Sequence, residues 1–386
     1  MSEFRTIREL CSVVVDCPHS TPKWTANGKI VIRNKNIKHG KIDFSSPSYT
    51  DDEHFVQRIK RAKPQPGDII ITREAPIGDV GMIPENTECC LGQRMVLLRA
   101  NQSVCDNFYL LYSLQSLYVQ HQISWSEGTG TTVSNLRIPH LEQIQIPYLP
   151  LEQQAKISSV LRALEEKIEN NRRLNDNLQQ QAAALFSSLY DRTNTEVRFT
   201  DLIQILGGGT PKTGENTYWN GNIAFFTPKD VGTPYTLITE KTITEEGLSH
   251  CNSRLYPVNT VFVTARGTVG KVGMSGVPMA MNQSCYALVG KETHQLLVYF
   301  YTLKAVDRLK HKASGAVFDA ITTRDFESEQ IMKLSDDDAK AFLCIAEPMF
   351  QKVLNNCIEN LRLSTLRDSL LPKLMSGEVD VSAVQL

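Results

Sequence analysis

With 386 residues, 41% of them hydrophobic and 22% charged, the chain is too long for one ordinary domain and too apolar to be disordered. A net charge of −1 neither requires nor excludes nucleic acid, because a local patch outweighs the sum. Apolar runs fall short of the ~18 residues a membrane span needs, the first ten residues lack a signal-peptide core, and nine scattered cysteines form no CxxC, so a cytoplasmic protein with reduced thiols and no membrane contact is expected.

Up to about residue 150, short strands alternate with turn signals. Gly28 leads a strand through Ile32, followed by the polar loop Arg33-Asn34-Lys35-Asn36. Pro66-Gly67-Asp68 turns into the buried strand Ile69-Ile70-Ile71; Ala75-Pro76-Ile77-Gly78 breaks it, and Val80-Gly81-Met82-Ile83 resumes. A further strand runs from Arg94 to Leu98, residues 106–120 have helical spacing, and Glu127-Gly128-Thr129-Gly130-Thr131-Thr132 is a loop. Pro139, Pro147 and Pro150 then lead into Leu151–Tyr190, where Ile157, Leu161, Leu164, Ile168, Asn171, Asn175, Leu178, Ala182, Leu185 and Leu189 step by fours and threes. That is a coiled-coil seam, its two Asn positions trading stability for register. The helix would run roughly 60 Å, more than a small core needs.

The second half repeats the first. Thr21-Pro22-Lys23 returns as Thr210-Pro211-Lys212, Gly28-Lys29-Ile30 as Gly221-Asn222-Ile223, and Pro66-Gly67-Asp68 as Pro257-Val258-Asn259. Thr72, with Ile77-Gly78-Asp79-Val80-Gly81-Met82, returns as Thr264 with Val269-Gly270-Lys271-Val272-Gly273-Met274. Gln93 returns as Gln283, and Ile168-Glu169-Asn170 as Ile358-Glu359-Asn360. One ordered offset across these tracts means tandem duplication. The layout is a first domain (1–150), a helix (151–191), a second domain (192–335), and a second helix with a tail (336–386). Ala339, Phe342, Ala346, Phe350, Val353, Leu354, Ile358, Leu361, Leu366 and Leu370 give the second helix its apolar face, and Pro372 is expected to bend or end it. The fold class is α+β, mixed α/β: two tandem domains with twisted sheets, separated by two long helices in an antiparallel coiled coil. Such a pair would set the domains at its two ends about a pseudo-twofold axis, which suits a two-part target such as duplex DNA.

No catalytic or metal constellation emerges. Gly207-Gly208-Gly209-Thr210-Pro211-Lys212-Thr213 lacks the P-loop order, and GxSxG, HExxH and a Pro-Pro-aromatic methylase motif are missing. The eight His are dispersed, and the Glu165–Lys167 pair lies within the seam helix. A binding module is favoured over an enzyme.

Residues 29–63 carry Lys29, Arg33, Lys35, Lys38, Lys41, Arg58, Lys60, Arg61 and Lys63 against Asp43, Asp51, Asp52 and Glu53, a local positive excess of the kind phosphate contact uses. The alternative is an ordinary solvated surface. Arg33, Asn34, Lys35 and Asn36 are residue types that read base edges; Thr227, Pro228, Lys229 and Asp230 hold the equivalent place in the repeat. The loops Thr72–Gly78 and Thr264–Gly270 are also paired and differ most where Arg73-Glu74 faces Ala265-Arg266, and Gln93-Arg94 and Gln283-Ser284 follow the next turn. The candidate DNA contacts are therefore Arg33, Asn34, Lys35, Asn36, Lys38, Thr72, Arg73, Gln93 and Arg94 in the first domain, and Thr227, Lys229, Asp230, Arg266, Thr268 and Gln283 in the second. These loops could equally be plain strand-to-strand turns.

The whole pattern resembles the specificity subunit of type I restriction–modification systems. IPYLPLEQQAKISSVLRALEEKIENNRRLNDNL (146–178) and LRDSLLPKLMSGEVD (366–380) look like its central and distal conserved regions; GDIIITREAPIGDVGMI and NTVFVTARGTVGKVGM look like the common core of its two target-recognition domains. The resemblance implies that each domain reads one half of an interrupted double-stranded DNA sequence and that the helices set the gap. It also implies docking of two modification (methylase) subunits that use S-adenosylmethionine, and of restriction (translocase-nuclease) subunits that use ATP and Mg. This chain itself would bind no cofactor and catalyse nothing. Two other readings stay open: a scaffold holding protein partners on a coiled-coil bar, and a recognition subunit for a methylase without a nuclease.

Overall fold

The computed structural model describes residues 3–38, 40–125, 135–232, 234–312 and 320–381, so the loop expected from Glu127 to Thr132 lies outside them. The chain divides into two compact units, Met1–Glu166 with Leu363–Leu386, and Lys167–Arg362. Each unit thus owns a piece of both long helices.

In the first unit a four-stranded antiparallel sheet has the order Cys11–Asp16, Met95–Ala100, Ile69–Thr72, Val80–Met82. Its inner strands are apolar at nearly every position because both faces of the sheet are covered. The strand period of two sorts their side chains. Ile69, Ile71, Val96 and Leu98 join a core with Tyr109, Leu110, Ile157, Leu161, Leu374 and Met375. Ile70, Met95 and Leu97 join another with Ile32, Ile37, Ile83 and Leu91. The second core is shared with the three-stranded sheet Ser48–Thr50, Lys29–Ile32, Cys89–Leu91, whose last pair is parallel.

The second unit repeats the plan. Its sheet runs Ile203–Gly207, Cys285–Gly290, Val261–Thr264, Val272–Ser275, Tyr235–Thr236. Val261, Val263 and Leu288 face the helical core, whereas Phe262, Cys285 and Ala287 face Phe226, Met279 and Met281. The companion sheet is Lys241–Ile243, Trp219–Phe226, Met279–Met281, again with a parallel last pair.

The single helix expected over residues 106–120 is two, Asn107–Gln115 and Leu117–Ser124. Ser116 divides them: its Oγ accepts from the Val119 amide at 3.4 Å and caps the second. The matching helix of the second unit, Gln295–Lys312, is unbroken.

The long helices are Leu151–Tyr190 and Asp336–Ser376. Within the second unit they are antiparallel. Asn171 Nδ2 donates to Glu359 Oε2 at 2.8 Å and Asn360 Oδ1 at 2.9 Å, Asn356 Nδ2 donates to Asn175 Oδ1 at 2.8 Å, and the Phe186 and Phe342 rings lie 5.4 Å apart. Phe186, outside the expected seam, is buried because it also packs on Phe300 and Tyr301 of the 295–312 helix. Leu361 and Leu366, expected on the apolar face, are 36% and 45% exposed. Polar pairs hold the helices together there: Asn171 with Asn360, and in the first unit Arg367 with Glu165 at 3.3 Å. Pro372 does not end the second helix. Its missing N–H costs a single hydrogen bond near the terminus, and the next residues, Leu374 and Met375, are buried in the first unit's core.

Asn175→Leu would strip the acceptor from the fully buried Asn356 amide, at an expected cost of about 1–3 kcal/mol. Adding Asn356→Leu should return stability to the wild-type level or above. Denaturant titrations of the wild type, both single variants and the double variant check this; a double variant less stable than Asn175→Leu alone would contradict it.

Candidate nucleic-acid interface

The duplication extends to individual hydrogen bonds. After the strand Lys29–Ile32, Asn36 closes a turn: its Oδ1 accepts from the Arg33 amide at 3.0 Å and its own amide donates to the Arg33 carbonyl at 2.8 Å. Asp230 closes the same turn on Thr227, at 2.8 and 2.9 Å. Thr72 Oγ1 accepts from the Asp79 amide at 2.9 Å, and Thr264 Oγ1 from the Lys271 amide at 2.9 Å. The Arg73 amide donates to Arg94 and the Ala265 amide to Ser284, both at 2.8 Å. Each glutamine meets the threonine of its Thr-Pro-Lys tract: Gln93 Nε2 lies 3.4 Å from Thr21 Oγ1, and the Thr210 hydroxyl donates to Gln283. These bonds set the matched positions: Arg33 with Thr227, Asn34 with Pro228, Lys35 with Lys229, Glu74 with Arg266, Arg94 with Ser284.

In the first unit the loops form a cleft of about 320 Å³ lined by Pro22, Trp24, Arg33, Asn34, Lys35, Gly92, Gln93 and Arg94. The Arg33 guanidinium lies over the half-exposed Trp24 ring, 4.9 Å from its centre, a contact worth about 0.5–1 kcal/mol. Arg94 pairs with Glu74 at 3.0 Å. Asn34 Nδ2 donates to the Glu74 carbonyl at 2.6 Å, while its Oδ1 is buried and has no partner among the described residues. Behind this rim Arg73 binds Asp16 at 3.0 Å and Asn135 at 3.2 Å, and Asn135 donates to Glu74 at 2.9 Å. Arg58, 6% exposed, donates to the carbonyls of Leu91, Gly92, Ser20 and Pro18 at 2.7–3.2 Å and so pins the Gly92-Gln93-Arg94 turn. Burial lowers its pKa.

The expected contacts divide accordingly. Arg33, Lys35, Gln93 and Arg94 come together at the cleft, Lys35 Nζ also reaching Ser46 at 3.1 Å. Lys38 is exposed and pairs with Asp43 at 2.9 Å. Asn36 and Thr72 are buried with their bonds made inside the chain, and Arg73 is held by Asp16 and Asn135. These three shape the loops. In the second unit Lys229, Arg266, Thr268 and Gln283 are exposed; Lys229 pairs with Glu240 at 3.5 Å, and Thr268 Oγ1 donates to the Pro228 carbonyl at 3.2 Å. Thr227 and Asp230 are partly buried, with the Thr227 hydroxyl bound to Asp230 at 2.6 Å.

The positive excess over residues 29–63 is smaller in space than in sequence. Glu88, outside that window, takes both Lys29 at 2.5 Å and Lys63 at 2.8 Å, which holds its carboxyl at about 2. Sequence reasoning passed over Trp24, Asp16 and Asn135, and placed Arg58 among the surface charges. Trp24 had a signal, since it directly follows a repeated tract; the others act through contacts tens of residues away in the chain.

Among the described residues no group of three His, Cys, Asp or Glu side chains is placed to hold a metal ion, and no helix is long and apolar enough to cross a membrane. Residues 3–180 and 192–333 match the family described as type I restriction modification DNA specificity domain. The type I restriction enzyme MjaIX specificity subunit of Methanocaldococcus jannaschii is 23% identical over 393 residues, covering 95% of this chain and 87% of its own. The EcoR124I/EcoR124II specificity subunit of Escherichia coli is 35% identical over 100 residues, a quarter of this chain (25%) and 24% of its own. The crystal structure of the type I restriction–modification S subunit from M. genitalium has the same fold, with a TM-score of 0.60 at 18% identity over 96% of this chain and 95% of that one. Matched over both halves, this chain belongs to the type I restriction–modification DNA specificity family.

Proposed function

We propose that this chain is the DNA-reading subunit of a type I restriction–modification complex in the cytoplasm, each unit reading one half of an interrupted double-stranded target. The observation that carries this reading is the pairing of backbone bonds shared by the two units with unlike rim side chains: the same turns hold Arg33, Glu74 and Arg94 in one unit and Thr227, Arg266 and Ser284 in the other. A scaffold that keeps its loops and changes their polar tips suits two different half-sites. The chain supplies recognition and no catalytic residue. S-adenosylmethionine, ATP and Mg belong to the two methylase subunits and the restriction subunits. Exposed Leu174, Ile345 and Leu361 on the second unit's helical segments offer apolar footing for such partners. The seam between the helices fixes the gap between half-sites.

A genome-wide map of N6-methyladenine, with and without this gene in cells that express the partner methylase, should lose one interrupted motif when the gene is removed; an unchanged map would refute the proposal. Lengthening both helices by one turn, about four residues near Asn171 and as many near Glu359, adds about 5.4 Å. The recognised gap should grow by about one or two base pairs, at about 3.4 Å each, with both half-sites unaltered. Altered half-sites would count against a spacer role.

A further inference from the structure

On the matched rims, one arginine in each unit has a guanidinium without a hydrogen-bond or ion-pair partner among the described residues. It is not the same position. In the first unit it is Arg33, on the turn that follows Lys29–Ile32, while Arg94 is taken up by Glu74 at 3.0 Å. In the second unit Thr227 stands where Arg33 does, and Arg266 stands where Glu74 does. The two loops concerned are tied together in both units, by Asn34 Nδ2 on the Glu74 carbonyl at 2.6 Å and by Thr268 Oγ1 on the Pro228 carbonyl at 3.2 Å. The free guanidinium has therefore moved from one wall of a shared rim to the other, and the acid that neutralises a second arginine in the first unit is replaced.

A guanidinium with all its donors free, held in a fixed plane, matches the O6 and N7 acceptors of guanine in the major groove. The Trp24 ring, 4.9 Å from the Arg33 guanidinium, steadies that group at a concave cleft. Arg266 sits at a loop tip beside Gly267, whose φ of 83° lets the chain turn tightly. Phosphate contact suits the compact, rotatable ammonium groups of Lys35, Lys38 and Lys229. We infer that Arg33 selects a guanine in one half-site and Arg266 a guanine in the other, at non-equivalent steps along the two halves. This rests on the DNA-reading function proposed above.

The test is selection from a duplex library, randomised over two short blocks and the gap between them, by the full chain assembled with its methylase subunits. The wild-type complex should enrich one two-part sequence with a G·C pair in each half. Arg33→Ala should relax one base pair of one half by on the order of ten- to a hundred-fold, and Arg266→Ala one base pair of the other half by a similar factor. Arg33→Lys, which keeps the charge and removes the planar fork, should relax the same pair while leaving the salt dependence of binding unchanged. A uniform loss of affinity over all sequences, with the salt slope reduced by about one charge, would make these phosphate contacts and overturn the inference. A preferred sequence that both alanine variants leave intact would overturn it too. A wild-type complex with no preferred sequence would instead refute the DNA-reading function itself. Thermal melts of each variant separate these outcomes from misfolding.

Discussion

The strands Ile69–Thr72 and Val261–Thr264 are buried at every residue, and each sends alternate side chains into two different cores. One core takes in the helices and the other takes in the small sheet that carries the rim. A strand covered on both faces cannot slip its register by one residue without exchanging the two sets of side chains. The place where it ends is therefore fixed, and at that place Thr72 and Thr264 are fully buried and tether the loop that follows. The rim inherits its geometry from apolar packing beneath it.

That separation explains why the loops can share bonds and differ in chemistry. The turns are held by backbone amides and by one short polar side chain each, Asn36 or Asp230, which bonds the amide at the matched rim position whether that residue is Arg33 or Thr227. The first unit adds a second layer. Asp16, Arg73, Asn135, Glu74 and Arg94 form a continuous polar chain behind and along the cleft. The second unit has Ala265, Arg266 and Ser284 at the matching sites, and its rim is held by shorter links, Thr227 to Asp230 and Thr268 to the Pro228 carbonyl. Changing Glu74 or Arg94 in the first unit therefore disturbs several neighbours, whereas Arg266, at the place of Glu74, belongs to no such chain among the described residues.

Much of the architecture was legible because it is periodic or local. The seam over 151–190 announces itself by alternating threes and fours, and the repeat by tracts in constant order. Asn171 and Asn175 were visible as polar breaks in that seam, but not their partners. Asn356 sits on the other helix 181 residues away, and no local pattern points to it. The same limit hid the role of Arg58, whose acceptors lie 33 to 40 residues off in either direction. That the second helix continues past Pro372 depends on the packing of Leu374 and Met375, which residue type alone does not show. Asn36 and Thr72 have side chains with the chemistry to read bases, and the bonds that they make inside the loops were not legible from residue type.

The polar seam also has a consequence for how the molecule is made. Asn171 finds its partner Glu359 188 residues further along the chain. At the usual pace of synthesis, the first helix waits on the order of ten to forty seconds before the second exists. An unbroken leucine stripe of that length would offer itself to any other apolar surface meanwhile, including the same helix of a neighbouring nascent chain. Asn171 and Asn175 interrupt the stripe near its middle, and both can be hydrated until Asn356, Glu359 and Asn360 arrive. The residues that fix the register of the finished pair also make the unpaired helix a poor glue.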